Sequence, residues 1–114
     1  MTDQQNGEVM IRSINAEEFN QKLESGDYTL IDIRTEMEYQ QGRIADVQNI
    51  NIASRDFEQK INTLDKDEKY LIYCLSGSRT QVALGIMQSL GFKEVYDLSG
   101  GIQMWRMGGF ELVS

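Results

Sequence analysis

The sequence contains no histidine and only one cysteine. Without histidine it cannot form the Cys-His and Ser-His pairs that activate many enzyme nucleophiles, nor a histidine-based metal site. A single cysteine excludes an internal disulfide, so another molecule must resolve any persulfide or sulfenate that forms on it. A metal site would have to consist of carboxylates, and we find no loop of the calcium-binding type. We therefore expect neither a metal nor a cofactor.

Basic residues and long apolar runs are also scarce. Lysine and arginine total 11 against 18 acidic residues, a net charge of −7, whereas contacts to nucleic-acid phosphates require clustered basic residues. No apolar run is long enough to cross a bilayer. Residues 1–8 lack the basic start and apolar core of a signal peptide. We expect a flexible tail over residues 1–8, one folded domain over residues 9–114, a cytoplasmic location and no nucleic-acid or membrane partner.

Strand and helix patterns alternate along the 114 residues. Short apolar runs with β-branched or aromatic residues predict strands, and apolar residues at three- and four-residue steps predict helices. The predicted strands are residues 9–12, 28–33, 47–52, 70–73 and 94–98. The predicted helices cover residues 15–26, 35–42, 54–64 and 81–90, with a short one after residue 100. Because this alternation is typical of α/β proteins, we expect a mostly parallel sheet with helices on both faces.

Charged residues surround the end of the second predicted strand. Thr35 and Glu38 have the spacing of a capping box at the start of a helix. Arg34 and Glu38 are close enough to form an ion pair, and we favour that structural role over a catalytic one. Asp32 lies at the carboxyl end of a predicted parallel strand, where α/β sheets place their sites. It could hold the arginine or the amides of the cysteine loop, or it could cap the next helix.

The cysteine lies where a predicted buried strand meets a predicted helix. Cys74 follows strand 70–73, Gly77 permits a tight turn, and Arg79 opens the helix. Such a loop points several unpaired backbone N–H groups into one small space, and the helix N-terminus adds partial positive charge. A thiol held there should ionise more readily than a free thiol, and a thiolate is a nucleophile. Cys74 could instead be a small buried apolar residue, but the turn, the arginine and the helix start favour a reactive thiolate.

Three motifs resemble those of one protein family. The loop Cys74-Leu75-Ser76-Gly77-Ser78-Arg79-Thr80 resembles the active-site loop of the rhodanese-like sulfurtransferases, Cys-x-x-Gly-x-Arg-Thr/Ser between a strand and a helix. The family's early signature is similar to Leu30-Ile31-Asp32-Ile33-Arg34-Thr35, Glu38-Tyr39 and Gly42-Arg43-Ile44. Its closing signature is similar to Leu98-Ser99-Gly100-Gly101-Ile102, Trp105 and Gly108-Gly109-Phe110. The resemblance extends from about residue 11 to residue 112 and implies a rhodanese fold of about five strands.

One loop departs from the family pattern. The usual Gly-His-Ile-Pro-Gly-Ala becomes Gly42-Arg43-Ile44-Ala45-Asp46-Val47 in this chain. Without proline or glycine after Ile44, the loop must fold differently or be less rigid, which affects the expected wall of the pocket. Gly100 and Gly101 predict a flexible turn into a short helix that carries Trp105. We expect this tryptophan to be a core residue, in a segment that in the family helps to frame the site.

The resemblance implies a sulfurtransferase that needs no cofactor. The Cys74 thiolate would attack the outer sulfur of a donor anion such as thiosulfate, and cyanide or a thiol would then take that sulfur from the persulfide. The backbone amides of residues 75–80 would stabilise the persulfide anion. Because the loop carries no charge between Cys74 and Arg79, whereas family members that act well on thiosulfate often have basic residues there, the true donor could be a persulfide on a small thiol or on a partner protein.

The side chains of the loop have secondary expected roles. Ser76 and Ser78 could donate to the substrate or face solvent. Arg79 could meet the anionic donor or lock the loop by bonding its carbonyls, and we favour the second role. Thr80 would brace the first turn of the helix.

Two alternative functions remain open from the sequence. Cysteine phosphatases and arsenate reductases resemble Cys-x5-Arg, whereas Cys74 and Arg79 are separated by only four residues. A smaller ring of amides suits one sulfur atom better than a tetrahedral phosphate, so the spacing favours sulfur transfer. The chain could also be a slow persulfide carrier or a non-catalytic docking module, which would turn over poorly with small acceptors.

Overall fold

The computed structural model describes residues 8–114. The predicted flexible segment 1–8 lies outside the described residues, except for Glu8. The strands of this region are β1 (Met10–Ile14), β2 (Thr29–Asp32), β3 (Gln48–Asn49), β4 (Lys69–Tyr73) and β5 (Glu94–Leu98). Its helices are α1 (Ala16–Ser25), α2 (Glu36–Gln41), α3 (Phe57–Asn62), α4 (Ser78–Ser89) and α5 (Gly101–Met107).

The five strands form one parallel sheet in the order β1-β5-β4-β2-β3. This confirms the α/β class and the parallel sheet. Strand β4 lies at the centre, between β5 and β2, and four of its five residues are buried, as its apolar sequence predicts. Since all strands run the same way, the carboxyl ends of β2, β4 and β5 meet at one edge. The cysteine loop begins at that edge.

Two apolar clusters cover the two faces of the sheet, so the prediction of helices on both faces is confirmed. One cluster joins the sheet to α3 and α4; its helix residues include Phe57, Ile61, Ala83, Leu84 and Met87. The other joins the sheet to α1 and α5; its helix residues are Phe19, Ile102 and Trp105. Trp105 is buried and packs edge-on against Phe19, which confirms its expected place in the core.

Local signals set the starts of α1 and α2. The Asn15 side chain accepts from the Glu18 amide at 2.8 Å, which satisfies one of the unpaired amides of α1. Thr35 and Glu38 form the complete capping box that their spacing predicts, with each side chain bonded to the other residue's backbone N–H. The box fixes the direction in which the chain leaves β2.

The bounds of several predicted elements differ from the observed ones, most of all in the strand and the helix between β2 and β4. Strand 47–52 shortens to β3, and helix 54–64 shortens to α3, because Ser54 and Asp56 bond to each other in a turn that precedes the helix. The three- and four-residue steps in residues 81–90 predict that Val82 lies on the apolar face of α4 with Ala83, Ile86 and Met87. This prediction is wrong for Val82, whose side chain is 60% exposed.

The loop without proline or glycine is held by side chains instead. The Tyr39 hydroxyl donates to the Val47 carbonyl at 2.7 Å and accepts from the Val47 amide at 3.1 Å. The Arg43 guanidinium bonds the Asp46 carboxylate, and the Arg43 backbone pairs with Val113 in an antiparallel bridge. Within residues 8–114, no helix has both the length and the apolar character needed to cross a membrane.

Candidate active site

The cysteine loop closes tightly around its sulfur. Cys74 directly follows β4 and is 0% exposed. The Gly77 amide donates to the Cys74 sulfur at 3.1 Å. Gly77 adopts φ +100°, which a residue with a side chain rarely takes, and α4 begins at the next residue. The strand end, the glycine turn and the helix start therefore converge on the sulfur as the sequence predicts.

The start of α5 holds the outside of this loop. The Ile102 amide donates to the Cys74 carbonyl at 2.9 Å, and the Gln103 amide donates to the Leu75 carbonyl at 3.2 Å. Gly101 has φ +67°, and a Cβ there would lie 2.6 Å from the Ser76 nitrogen and even closer to the Leu75 carbonyl. The pair Gly100-Gly101 does form a turn, but it is not the loose turn that the sequence predicts. Gly101 is a close-packed contact point between α5 and the cysteine loop.

One residue of the cysteine loop, Leu75, lines a small pocket. This pocket has a volume of about 240 Å³, and its walls include Arg34, Glu38, Leu75, Ile102 and Arg106. Ser76 and Ser78 are exposed, so either hydroxyl can reach solvent. A larger cleft of about 540 Å³ lies beside α2 and α3, but it contains no residue of the cysteine loop. We therefore take the smaller pocket as the site.

Asp32 binds Arg34 rather than the cysteine loop. Its carboxylate accepts from the Arg34 backbone amide at 2.9 Å and from the Arg34 guanidinium at 2.7–3.1 Å. The Tyr73 hydroxyl also donates to Asp32, at 2.7 Å. Both predicted roles of Asp32 are wrong: it meets neither Arg79 nor the loop amides, and Thr35 caps α2. Burial, reinforced by the Asp32 carboxylate, raises the pKa of Tyr73.

Arg79 of the cysteine loop forms an ion pair with Glu38, which lines the pocket. Its two terminal nitrogens donate to the two Glu38 oxygens at 3.0 and 2.9 Å. Two predictions are thereby corrected, since Glu38 does not pair with Arg34, and the Arg79 side chain does not bond the loop carbonyls. The pKa of Arg79 is raised, first by these hydrogen bonds and in smaller part by the nearby Cys74 sulfur. The pair fixes the first turn of α4 to α2.

The ion pair has a measurable signature in acid. Arg79 holds the pKa of Glu38 at about 2, below its ordinary 4.5, with the Thr35 amide helping. A carboxyl with a lowered pKa stabilises the folded state above its unfolded pKa, and this contribution is lost as the pH falls towards 2. Glu38→Gln should cost about 1 kcal/mol at neutral pH, because the pair is partly exposed. The free energies of unfolding of Glu38→Gln and of the wild type, measured by urea denaturation, should therefore converge as the pH falls from 4.5 to 2.

Glu36→Gln is the matched control for this prediction. Glu36 is exposed on the same helix and contacts Gln40 rather than a guanidinium. Its stability curve should run parallel to that of the wild type in acid. A Glu38→Gln curve that also ran parallel would contradict the proposed strength of the Arg79 pair.

Thr80 links the cysteine to a second buried carboxylate. Its hydroxyl lies 3.0 Å from the Gly77 carbonyl, which confirms the predicted brace of the first helical turn. The same oxygen lies 2.7 Å from an Asp97 carboxylate oxygen and 3.8 Å from the Cys74 sulfur. Asp97 is 0% exposed in β5 and was not identified from the sequence. The available signal was a charged residue between Tyr96 and Leu98, inside the predicted strand 94–98.

Between Glu8 and Ser114, no three cysteine, aspartate or glutamate side chains lie close enough to hold a metal ion.

The family model of the rhodanese-like domain matches residues 15–107 of the chain. The chain belongs to the rhodanese-like family. A sulfurtransferase of Allochromatium vinosum is 32% identical to it over 106 residues, which are 92% of this chain and 97% of that protein. The thiosulfate sulfurtransferase GlpE of Pseudomonas fluorescens is 36% identical over 92 residues, which are 78% of this chain and 80% of that one.

Solved structures agree with this rhodanese-like assignment. The crystal structure of a rhodanese-related protein from Thermoplasma volcanium matches with a TM-score of 0.79 and 34% identity, over 90% of this chain and 97% of that one. A tRNA uridine(34) hydroxylase of Cytophaga hutchinsonii is 36% identical, but only 28% of that protein is covered. The predicted family and the predicted fold are both confirmed.

Proposed function

We propose that this rhodanese-like chain is a sulfurtransferase that carries a sulfane sulfur as a persulfide on Cys74. The observation that carries the proposal is the Gly77 amide directed at the Cys74 sulfur, 3.1 Å away, in a loop that enters a 12-residue helix. Backbone donors fixed before the reaction stabilise negative charge on sulfur without having to reorganise. The naming of relatives as sulfurtransferases supports the same reaction class.

The reaction consists of two displacements. The Cys74 thiolate attacks the outer sulfur of thiosulfate, an S–S bond forms to that sulfur, and its bond to the sulfonate breaks to release sulfite. Cyanide or a thiolate then attacks the outer sulfur of the persulfide, which yields thiocyanate or a new persulfide and restores the Cys74 thiolate. No proton need move if the nucleophile is already ionised, so the absence of histidine is no obstacle.

The groups around Cys74 stabilise negative charge on sulfur and are not needed to transfer protons. The Gly77 amide donates to the Cys74 sulfur, and we expect other amides of residues 75–80 to stabilise the charge of the persulfide as well. Ser76 or Ser78 can donate to a bound donor anion. Arg79 contributes positive charge near the sulfur while Glu38 fixes its position. Asp32 and Arg34 form the buried ion pair that supports the opposite wall.

The position of Arg79 disfavours the phosphatase alternative. A guanidinium binds a tetrahedral oxyanion most strongly through two parallel N–H bonds, whereas Arg79 already directs one N–H of each terminal nitrogen at Glu38, so an oxyanion would have to compete with that ion pair. Only four residues separate it from Cys74, one fewer than in the phosphatase loop. The pocket therefore suits a single sulfur atom better than phosphate or arsenate.

The charge balance at the mouth favours a donor less charged than thiosulfate. Arg34 and Arg79 are each neutralised by a carboxylate, and Leu75 presents an apolar side chain that is 40% exposed. Arg106 is the remaining cation on the pocket wall. We therefore favour a persulfide of a small thiol or of a partner protein as the donor in the cytoplasm, with thiosulfate as a slower substitute.

Thiocyanate and persulfide assays test the proposal. The protein, loaded with thiosulfate or with a low-molecular-weight persulfide, should release thiocyanate on addition of cyanide, whereas p-nitrophenyl phosphate hydrolysis and arsenate reduction should stay at background. Persulfide formation with slow turnover to cyanide and small thiols, but with transfer to a protein acceptor, would assign the carrier role instead. Phosphatase or arsenate reductase activity that depends on Cys74 would overturn the proposal.

A further inference from the structure

Asp97 is a buried carboxylate that the sulfur-transfer mechanism leaves without a role. It is 0% exposed in β5, and three donors surround it. The Ser13 hydroxyl bonds its Oδ1, while Oδ2 lies 2.7 Å from the Thr80 hydroxyl and 3.3 Å from the Gln81 amide nitrogen. These donors satisfy both oxygens of the buried carboxylate.

The Thr80 hydroxyl connects Asp97 to the cysteine. Its oxygen lies near three groups, at 2.7 Å from Asp97, 3.0 Å from the Gly77 carbonyl and 3.8 Å from the Cys74 sulfur. A hydroxyl has one proton to donate and two lone pairs to accept with. A carboxylate at the shortest distance is the strongest of these acceptors, so the proton points to Asp97. The lone pairs of Thr80 then face Cys74, and the hydroxyl can accept from the thiol but not donate to it.

We infer that Asp97 is a positioning residue that directs the Thr80 hydroxyl proton away from Cys74 in the resting protein, so that this hydroxyl does not add to the stabilisation of the thiolate. The inference rests on the proposed function of Cys74. This effect of Asp97 opposes that of the loop amides, which favour the charged sulfur. When an anionic outer sulfur is present, the hydroxyl can turn towards it, because Ser13 and Gln81 still donate to Asp97.

Other charged groups near Cys74 lie on different elements. Arg79 of α4 carries a positive charge in the same loop, and Glu38 of α2 pairs with it. The Asp32–Arg34 pair, at the end of β2, is neutral as a unit. None of these groups is hydrogen-bonded to Thr80, so the effect of Asp97 can be separated from theirs by changing the hydroxyl.

A double-mutant cycle on the unloaded protein tests the inference. Thiolate absorbance and the rate of iodoacetamide alkylation would be followed against pH, with Cys74→Ser as the blank for tyrosine ionisation. Asp97→Asn should move the midpoint of both profiles down by about 0.5–1 pH unit, since the hydroxyl proton becomes free to reach the sulfur. In the Thr80→Val background the same Asp97 change should have a clearly smaller effect. An equal shift in both backgrounds, no shift, or an upward shift would overturn the inference.

Thr80 variants give a second measurement that does not require Asp97→Asn to fold. Thr80→Val removes a group that only accepts from the resting thiol, so the midpoint should not rise, and Thr80→Ser should keep the wild-type midpoint. A rise in Thr80→Val would mean that the hydroxyl donates to sulfur in the resting protein and would overturn the inference. Because these profiles are recorded without a sulfur donor, a failure of persulfide formation would count against the proposed function and not against the role of Asp97.

Discussion

Gly101→Ala is expected to lower the free energy of unfolding by about 3 kcal/mol and to reduce sulfur loading of the folded protein. Two costs combine in this estimate. At φ +67° an added Cβ is strained by about 1–2 kcal/mol. The Cβ would also collide with the Leu75 carbonyl and lie 2.6 Å from the Ser76 nitrogen, and such overpacking costs about 1–3 kcal/mol. Urea denaturation measures the sum.

Gly109→Ala is the matched control, because it separates backbone strain from collision. Gly109 has φ +84°, but nothing lies within 4 Å of the position its Cβ would take. The free energy of unfolding of Gly109→Ala should therefore fall by only about 1–2 kcal/mol, and this variant should load sulfur like the wild type. Equal losses in the two variants would contradict the close-packed role of Gly101.

The loading defect of Gly101→Ala has a specific structural origin. The collision pushes α5 away from the loop and weakens the bonds from the Ile102 and Gln103 amides to the Cys74 and Leu75 carbonyls. Since these bonds fix the loop that directs the Gly77 amide at the sulfur, persulfide formation should slow even at temperatures where the variant is fully folded. Normal loading by a destabilised variant would show that α5 supports the fold without positioning the loop.

Cys74→Ser should abolish persulfide formation and lower thiocyanate production by at least about a thousandfold, as expected when a covalent nucleophile is removed. A serine hydroxyl is not ionised near neutral pH, and it cannot form a persulfide. The fold should persist, because the Gly77 amide and the Thr80 hydroxyl can both hydrogen-bond a serine at this position.

Cys74→Ala controls for the new hydroxyl in that experiment. It should be equally inactive, and near-ultraviolet circular dichroism should show the wild-type environment of Trp105 in both variants. Residual turnover in both folded variants would mean that sulfur passes directly between the bound donor and the acceptor, and the covalent mechanism would be wrong.

The fold could be predicted because its signals are local. The apolar runs that become β2, β4 and β5 can be buried only in a sheet covered on both faces. The capping box at Thr35 can likewise be recognised from spacing alone. The predicted lengths were wrong where the flanking residues form turns, as they do before α3 and around β3.

The pairing of charges could not be predicted in the same way. Arg34 and Glu38 are four residues apart and were expected to pair, yet Arg34 turns back to Asp32 and Glu38 reaches Arg79, 41 residues away. That choice depends on where α2 and α4 lie relative to each other, which sequence spacing does not encode. The link from Cys74 through Thr80 to Asp97 could not be predicted for the same reason, because it joins α4 to a strand in another part of the chain.

The most direct test of the central claim is the intact mass of the protein after brief exposure to thiosulfate, and separately to a low-molecular-weight persulfide, with Cys74→Ala treated alongside. We predict a gain of one sulfur atom with at least one donor, its removal by cyanide, and no gain in the variant. A wild-type protein that gains no sulfur from either donor, or a variant that gains it equally, would contradict the account.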